Sequence, residues 1–158
     1  MFCGLLSIMA CPAAKKGSTH VRIVQSPNSI IINGDISEIN FGIEQFDLIY
    51  MGAIIHLFPL QDAIVLMKKV WTWLKYNGYI FINTTCHSES YEGYSRKPDY
   101  SGEIYRFRRY WNENDFEHFI SERGFSVVEK LYTDEKDRMK KWIALIGKKE
   151  IMHKNEAI

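Results

Sequence analysis

Two apolar runs, Phe46-Asp47-Leu48-Ile49-Tyr50-Met51 and Tyr79-Ile80-Phe81-Ile82, flank a segment with helical periodicity, and this order constrains the fold more than any other feature. Leu60, Ala63, Ile64, Met67, Val70, Trp71 and Leu74 recur at three- and four-residue steps, which places them on one helical face. Pro59 suits a first helical turn, and Asp62 complements the positive end of the helix dipole there. Lys75 and the Asn77-Gly78 pair close the helix. A strand, a crossover helix and a second strand make parallel neighbours. The first run, ended by Gly52, has the continuous apolar character of a strand buried on both faces. The second run extends to about Thr85.

Further along, Asn112 is a good N-cap with Asp115 three residues on, and Trp111 and Phe116 are spaced as a hydrophobic staple. Phe119 and Ile120 continue the apolar face until Arg123-Gly124 closes this helix. Phe125 to Tyr132 and Trp142 to Ile146 then read as strands. Their charged connection, Thr133 to Lys141, holds no crossover helix, so they pair antiparallel. Before the central unit, Ile30-Ile31-Ile32 is a short strand ended by Asn33-Gly34. Too few residues separate it from the strand-like His20–Gln25 for a parallel crossover, which takes about a dozen or more. These two form an antiparallel hairpin, or one of them is irregular. The expected fold is α/β, a Rossmann-like, mostly parallel sheet with an antiparallel C-terminal β-hairpin, incomplete at its N-terminal half.

A chain of 158 residues with 46% hydrophobic and 25% charged residues suits one packed domain. That domain spans 1–149, with 1–29 a degenerate N-terminal part and 150–158 a flexible tail. A net charge of +1 supplies no bulk field toward nucleic acid or an anionic membrane. Cys3, Cys11 and Cys86 form no CxxC pair, and an odd count without a framework points to a reducing, cytoplasmic setting. The N-terminal run MFCGLLSIMACPA lacks the preceding Lys or Arg of a secretion signal. No stretch reaches the roughly 18 apolar residues of a membrane span.

The order and wording of these segments resemble the later part of class I S-adenosylmethionine-dependent methyltransferases. Gly34-Asp35-Ile36 is similar to that family's acidic turn after the third strand. Phe46 to Tyr50, Gly52 and His56 are similar to its FDLI strand, small-residue turn and histidine. Asn77-Gly78-Tyr79 resembles its turn into the fifth strand. Trp111, Asp115, Phe116, Phe119, Gly124, Phe125 and Trp142 resemble its last helix and terminal strands. The match covers about Ile30 to Lys149. It implies S-adenosyl-L-methionine as cofactor, with Asp35 accepting from the adenine amino group and Ile36 packing on the adenine. Tyr50, Met51 and Gly52 would line the same site. The family's glycine-rich turn after the first strand, which lets backbone approach the cofactor, has no counterpart. Cys3-Gly4 could be its stump, and Ala10 to Gly17 the tail of the first helix. Gln25, which is neutral, stands where the family's acidic residue grips the ribose.

Methyl transfer from a sulfonium is an in-line displacement governed by proximity and orientation, so few residues need act chemically. Where the acceptor must lose a proton, His56 and His87 follow the two central strands and are the candidate bases; the other reading of each is a ring packed in place. The other reading of Asp35, less favoured given the resemblance, is a plain turn residue with Asx geometry. No histidine, cysteine or carboxylate cluster has metal-ligand spacing, so no metal is expected. Between His87 and Trp111, five tyrosines mix with five cationic and four acidic residues, a net of +1. That balance disfavours a phosphate-tracking groove and fits a lid over a small-molecule pocket, or a surface insertion with satisfied ion pairs. Trp142 and the Met67–Trp71 face read as core.

The function implied is a methyltransferase acting on a small molecule, weak or inactive as an isolated chain. The alternative is a catalytically inactive remnant serving as scaffold or binding module. A dinucleotide oxidoreductase fits less well, since it needs a GxGxxG turn. The expected partner is a small-molecule methyl acceptor, with no nucleic acid and no membrane. If the N-terminal segment does not cover the edge of Phe46–Met51, a homodimer through that exposed edge would.

Overall fold

The strand–helix–strand unit sits at the centre of the structure, a computed structural model that describes residues 5–9, 22–26, 29–96 and 105–150. In chain order the elements are β1 (Leu5–Met9), β2 (Arg22–Ser26), β3 (Ser29–Asn33), β4 (Phe46–Gly52), a 3-10 turn (Ile55–Leu57) and α1 (Leu60–Trp73). Then come β5 (Leu74–Cys86), β6 (Tyr91–Arg96), β7 (Tyr105–Tyr110), α2 (Glu113–Ser121), β8 (Phe125–Glu135), a second 3-10 turn (Lys136–Arg138) and β9 (Lys140–Lys149).

The main sheet has the order β1-β4-β5-β9-β8. β1, β4 and β5 are parallel neighbours, and β9 pairs antiparallel with both β5 and β8. Only β9 is reversed among the five strands. The terminal hairpin is therefore as expected, with β8 at the sheet edge.

The N-terminal run of apolar residues supplies the neighbour of β4, in the register Leu6↔Ile49 and Ile8↔Met51. The chain itself, rather than a second subunit, thus covers this edge of Phe46–Met51. β1 also moves the place of a post-strand turn: it would follow Met9, whereas Cys3-Gly4 precedes the strand. Cys3-Gly4, Ala10 to Gly17 and the tail 151–158 lie outside the described residues. β2 and β3 form a separate antiparallel hairpin, Gln25 opposite Ile30.

Both helices pack on one face of the main sheet. Ile49, Met51, Ile80, Ile82, Ile143 and Leu145 are buried there against Ala63, Met67 and Val70 of α1 and Phe116 and Ile120 of α2. Among the described residues no helix covers the opposite face. Leu48, Tyr50 and Phe81 are only partly buried on it, and Tyr79 is 41% exposed. The expectation of a β4 buried on both faces is corrected accordingly: its side chains alternate between full and partial burial.

Both ends of α2 follow local chemistry, whereas the ends of α1 are capped from distant parts of the chain, its Leu60 N–H donating to Glu92 at 3.1 Å. Asn112 Oδ1 accepts from the Asp115 N–H at 2.8 Å, and Trp111 lies 5.5 Å from Phe116, ring to ring. Gly124 ends the helical segment at φ +88°, and a Cβ there would lie 2.9 Å from Trp71 Nε1. α1 ends at Trp73, before Asn77-Gly78, and β5 begins at once with Asn77 at φ +61° inside it. Lys75 pairs with Asp47 at 2.9 Å instead of capping the helix. The cap is Lys149, whose Nζ donates to Trp71 O at 2.9 Å and Leu74 O at 2.7 Å while its ammonium sits over the Trp71 ring.

Candidate functional site

Two groups of candidate residues gather on either side of the 3-10 turn Ile55–Leu57. The first is a cavity of ≈ 290 Å³ lined by Asp35, Ile36, Ser37, Phe58, Asp62, Val65, Leu66 and Lys69. The loop after β3 is tied to the second half of α1 because Lys69 Nζ donates to Ser37 O and Ile39 O. Asp35 lies at the rim and closes an Asx turn, its Oδ1 accepting from the Ser37 N–H at 2.8 Å. Hydrogen bonds from the Ser37 side chain and backbone hold the Asp35 carboxyl below its usual range, and the Lys69 charge assists. A carboxylate therefore faces a partly apolar cavity with Ile36 beside it, an arrangement able to accept from an exocyclic amine. The Asx turn anticipated for Asp35 is present, and it leaves this carboxylate on the cavity.

The second group lies at the carboxyl ends of β4 and β5. His56, 8% exposed, is hydrogen-bonded through Nδ1 to Thr84 Oγ1 at 3.4 Å, and its ring is edge-on to Trp142. Burial lowers its pKa to about 4, helped by the charges of Arg108, Arg106, Lys140 and His87. Such an imidazole is neutral at pH 7 but weakly basic, which suits it poorly to general-base work. His87 is less buried. Its Nε2 bonds Thr85 Oγ1 at 3.0 Å, its ring is edge-on to Tyr110, and burial lowers its pKa. The structure brings the two histidines to the same end of the sheet.

The remaining candidates are distributed differently. Tyr50 stacks on Phe81 at 4.8 Å and folds over Gly52, where a Cβ would come within 2.6 Å of its ring. Met51 is fully buried on the helix-covered face, so its side chain packs in the core. Gln25 lies on β2, whose hairpin is separate from the main sheet. Trp142, expected in the core, instead borders His56 and donates to Glu135 at 3.2 Å. Among the described residues no group of His, Cys, Asp and Glu is arranged to hold a metal, and no helix is long and apolar enough to cross a membrane.

The aromatic and arginine-rich segment forms strands that the sequence reading missed. β6 and β7 pair antiparallel, with Tyr91↔Tyr110, Gly93↔Arg108 and Ser95↔Arg106. Opposed residues share a face, so Arg106, Arg108 and Tyr110 lie on one side and Phe107 and Arg109 on the other. The signal was the alternation Tyr105-Arg106-Phe107-Arg108, masked by its polarity. Arg109 pairs with Glu92 at 2.7 Å and lies over the Trp111 ring.

A family model described as "Methyltransferase domain" matches residues 6–82. No curated protein matches the chain. Among solved structures, a SAM-dependent methyltransferase from Methanosarcina mazei aligns at TM-score 0.64 and 14% identity, covering 74% of this chain and 65% of its own. The 1,6-didemethyltoxoflavin-N1-methyltransferase of Burkholderia thailandensis, solved with 1,6-didemethyltoxoflavin and S-adenosylhomocysteine bound, aligns at TM-score 0.59 and 15% identity. That alignment covers 73% of this chain and 48% of the enzyme. An S-adenosylmethionine-dependent methyltransferase from Clostridium acetobutylicum aligns at TM-score 0.54 and 17% identity, covering 74% and 63%. The chain thus spans roughly half to two thirds of the length of these structures.

Proposed function

We infer from the shared fold and the matching methyltransferase-domain segment that the chain belongs to the class I S-adenosylmethionine-dependent methyltransferases, and we propose that it binds S-adenosyl-L-methionine and acts on a small molecule. The observation that carries this reading is the cavity in which Asp35 and Ile36 face the first turns of α1. Asp35 accepts from the adenine amino group, and Ile36 and Leu66 pack on its ring. The bound cofactor supplies an electrophilic methyl group. The chain's own part is to orient the acceptor at the carboxyl ends of β4 and β5. There His87 is the better-placed base, because His56 is too deeply buried and too weakly basic. Tyr50 and Gly52 border this end of the sheet through ring and backbone.

Binding is weak in this reading. No glycine pair follows β1, and Gln25 sits on a hairpin outside the main sheet, so two of the family's grips on the cofactor are reduced. The same displaced hairpin favours the second reading, an inactive remnant that keeps a ligand pocket as a binding module. The cysteine pattern supports a cytoplasmic setting. With β4 covered, a homodimer would pair through the outer edge of β1.

Calorimetric titration with S-adenosylhomocysteine tests the cofactor assignment. Asp35→Ala should weaken binding by about 1–3 kcal/mol, the range for losing a hydrogen bond to a charged group. Unchanged affinity would remove Asp35 from the site. An assay of the chain with S-adenosylmethionine and a panel of small acceptors should show little turnover, and robust turnover would refute the weak-binding reading.

A further inference from the structure

We propose that the face of the β6–β7 hairpin that carries Arg106 and Arg108 is an oxyanion-binding site that selects a carboxylate- or phosphate-bearing methyl acceptor. The proposal rests on the methyltransferase reading for the word acceptor, and on the arginines alone for the anion. Arg106 and Arg108 are two residues apart on β7, so both side chains leave the same face of the strand. Each is only partly exposed. Arg106 Nε is sealed from solvent with no hydrogen-bond partner, as Arg109 Nε also is; what sets the pair apart is that, among the described residues, neither the Arg106 nor the Arg108 guanidinium has an ion pair. Their neighbour Arg109, on the opposite face, has both Glu92 and the Trp111 ring. Conventional surface pairing therefore accounts for one arginine of the three.

The residues opposite these two arginines are small and uncharged. Ser95 faces Arg106 and Gly93 faces Arg108. A Cβ built on Gly93 would meet nothing within 4 Å, so there is open space beside Arg108. At the end of the same face, Tyr91 and Tyr110 stack at 4.3 Å and Tyr110 meets the His87 ring at 4.8 Å. The charges of Arg108, Arg106 and Lys140 all reach His56. Two partly desolvated guanidinium groups without an acceptor are unfavourable, and a forked, planar donor matches carboxylate and phosphate oxygens. A bound oxyanion supplies the missing acceptors, and its position beside Tyr110 brings the rest of the molecule toward His87.

The test uses inorganic phosphate and benzoate as probes, with benzamide as the neutral match for benzoate. The readout is the ring signals of His56 and His87 in NMR spectra of the full chain. Both anions should give saturable shifts, and benzamide should give none. The paired substitution Arg106→Gln with Arg108→Gln should weaken binding at least tenfold, while Arg108→Lys should retain part of it, since the charge stays and the fork is lost. A parallel titration with S-adenosylhomocysteine should be unchanged in the double variant, which also shows that the variant is folded. Equal shifts from benzamide and benzoate, or unaltered anion affinity in the double variant, would overturn the site. Anion binding without S-adenosylhomocysteine binding would leave the site standing and sink the methyltransferase reading. Cofactor binding with no anion shifts would do the reverse.

Discussion

At the scale of single residues, His56 and Lys149 show how burial sets chemistry. The pKa of His56 falls from its ordinary 6.5 to about 4. A depressed histidine means that the unfolded chain binds the proton more tightly, so stability is present above the unfolded value and is lost as pH falls toward the folded one. Between about pH 7 and pH 5 the native state should lose about 2 kcal/mol from this group, and the lowered pKa of His87 acts in the same direction. Urea unfolding at the two pH values would check this, with His56→Phe expected to flatten the dependence. Asp35 and Glu113, both lowered by hydrogen bonds, contribute at more acidic pH, outside this window. Lys149, 1% exposed, satisfies two carbonyls at the end of α1. Lys149→Met keeps the volume and leaves those carbonyls without a donor, so denaturant unfolding should show a loss of about 1–3 kcal/mol. Local sequence offered Lys75 for that role, because nothing in it places a residue 75 positions later at the same helix end.

Among the elements, the ones set by short-range chemistry were legible. The periodicity of α1, the Asn112 cap and the helix-free connection from Thr133 to Lys141 led to the observed helices and terminal hairpin. Asn112→Ala should cost about 1 kcal/mol in thermal or urea unfolding, because its side chain caps the Asp115 N–H. Elements whose faces are both polar were not legible. β6 and β7 read as loop because Glu92, Arg96, Arg106 and Arg108 mask the two-residue period, and only pairing reveals which arginines share a face. The candidate site divides along the same line. Asp35, His56 and His87 follow strands whose ends were readable, whereas the burial of Met51 and the position of Gln25 depend on which strands pair.

For the molecule as a whole, the N-terminal strand determines whether β4 has a free edge. Leu5–Met9 occupies that edge in parallel register. Deleting residues 1–9 exposes the backbone of Phe46–Gly52, a more apolar edge than the outer side of β8, where Glu129, Lys130 and Asp134 guard against pairing. Light scattering on the truncated chain should report higher-order association than on the intact one, and equal masses would show that β1 contributes little.

Among the described residues helices cover only one face of the sheet, and this has a thermal consequence as well. Leu48, Tyr50, Tyr79 and Phe81 already touch solvent in the native state, so unfolding hydrates less new apolar surface than the chain length suggests. The heat-capacity increment should then fall below the roughly 12–15 cal/mol/K per residue of ordinary domains. The stability curve is flattened by this, and warming and cooling each change the native population more gently than in a sheet covered on both sides.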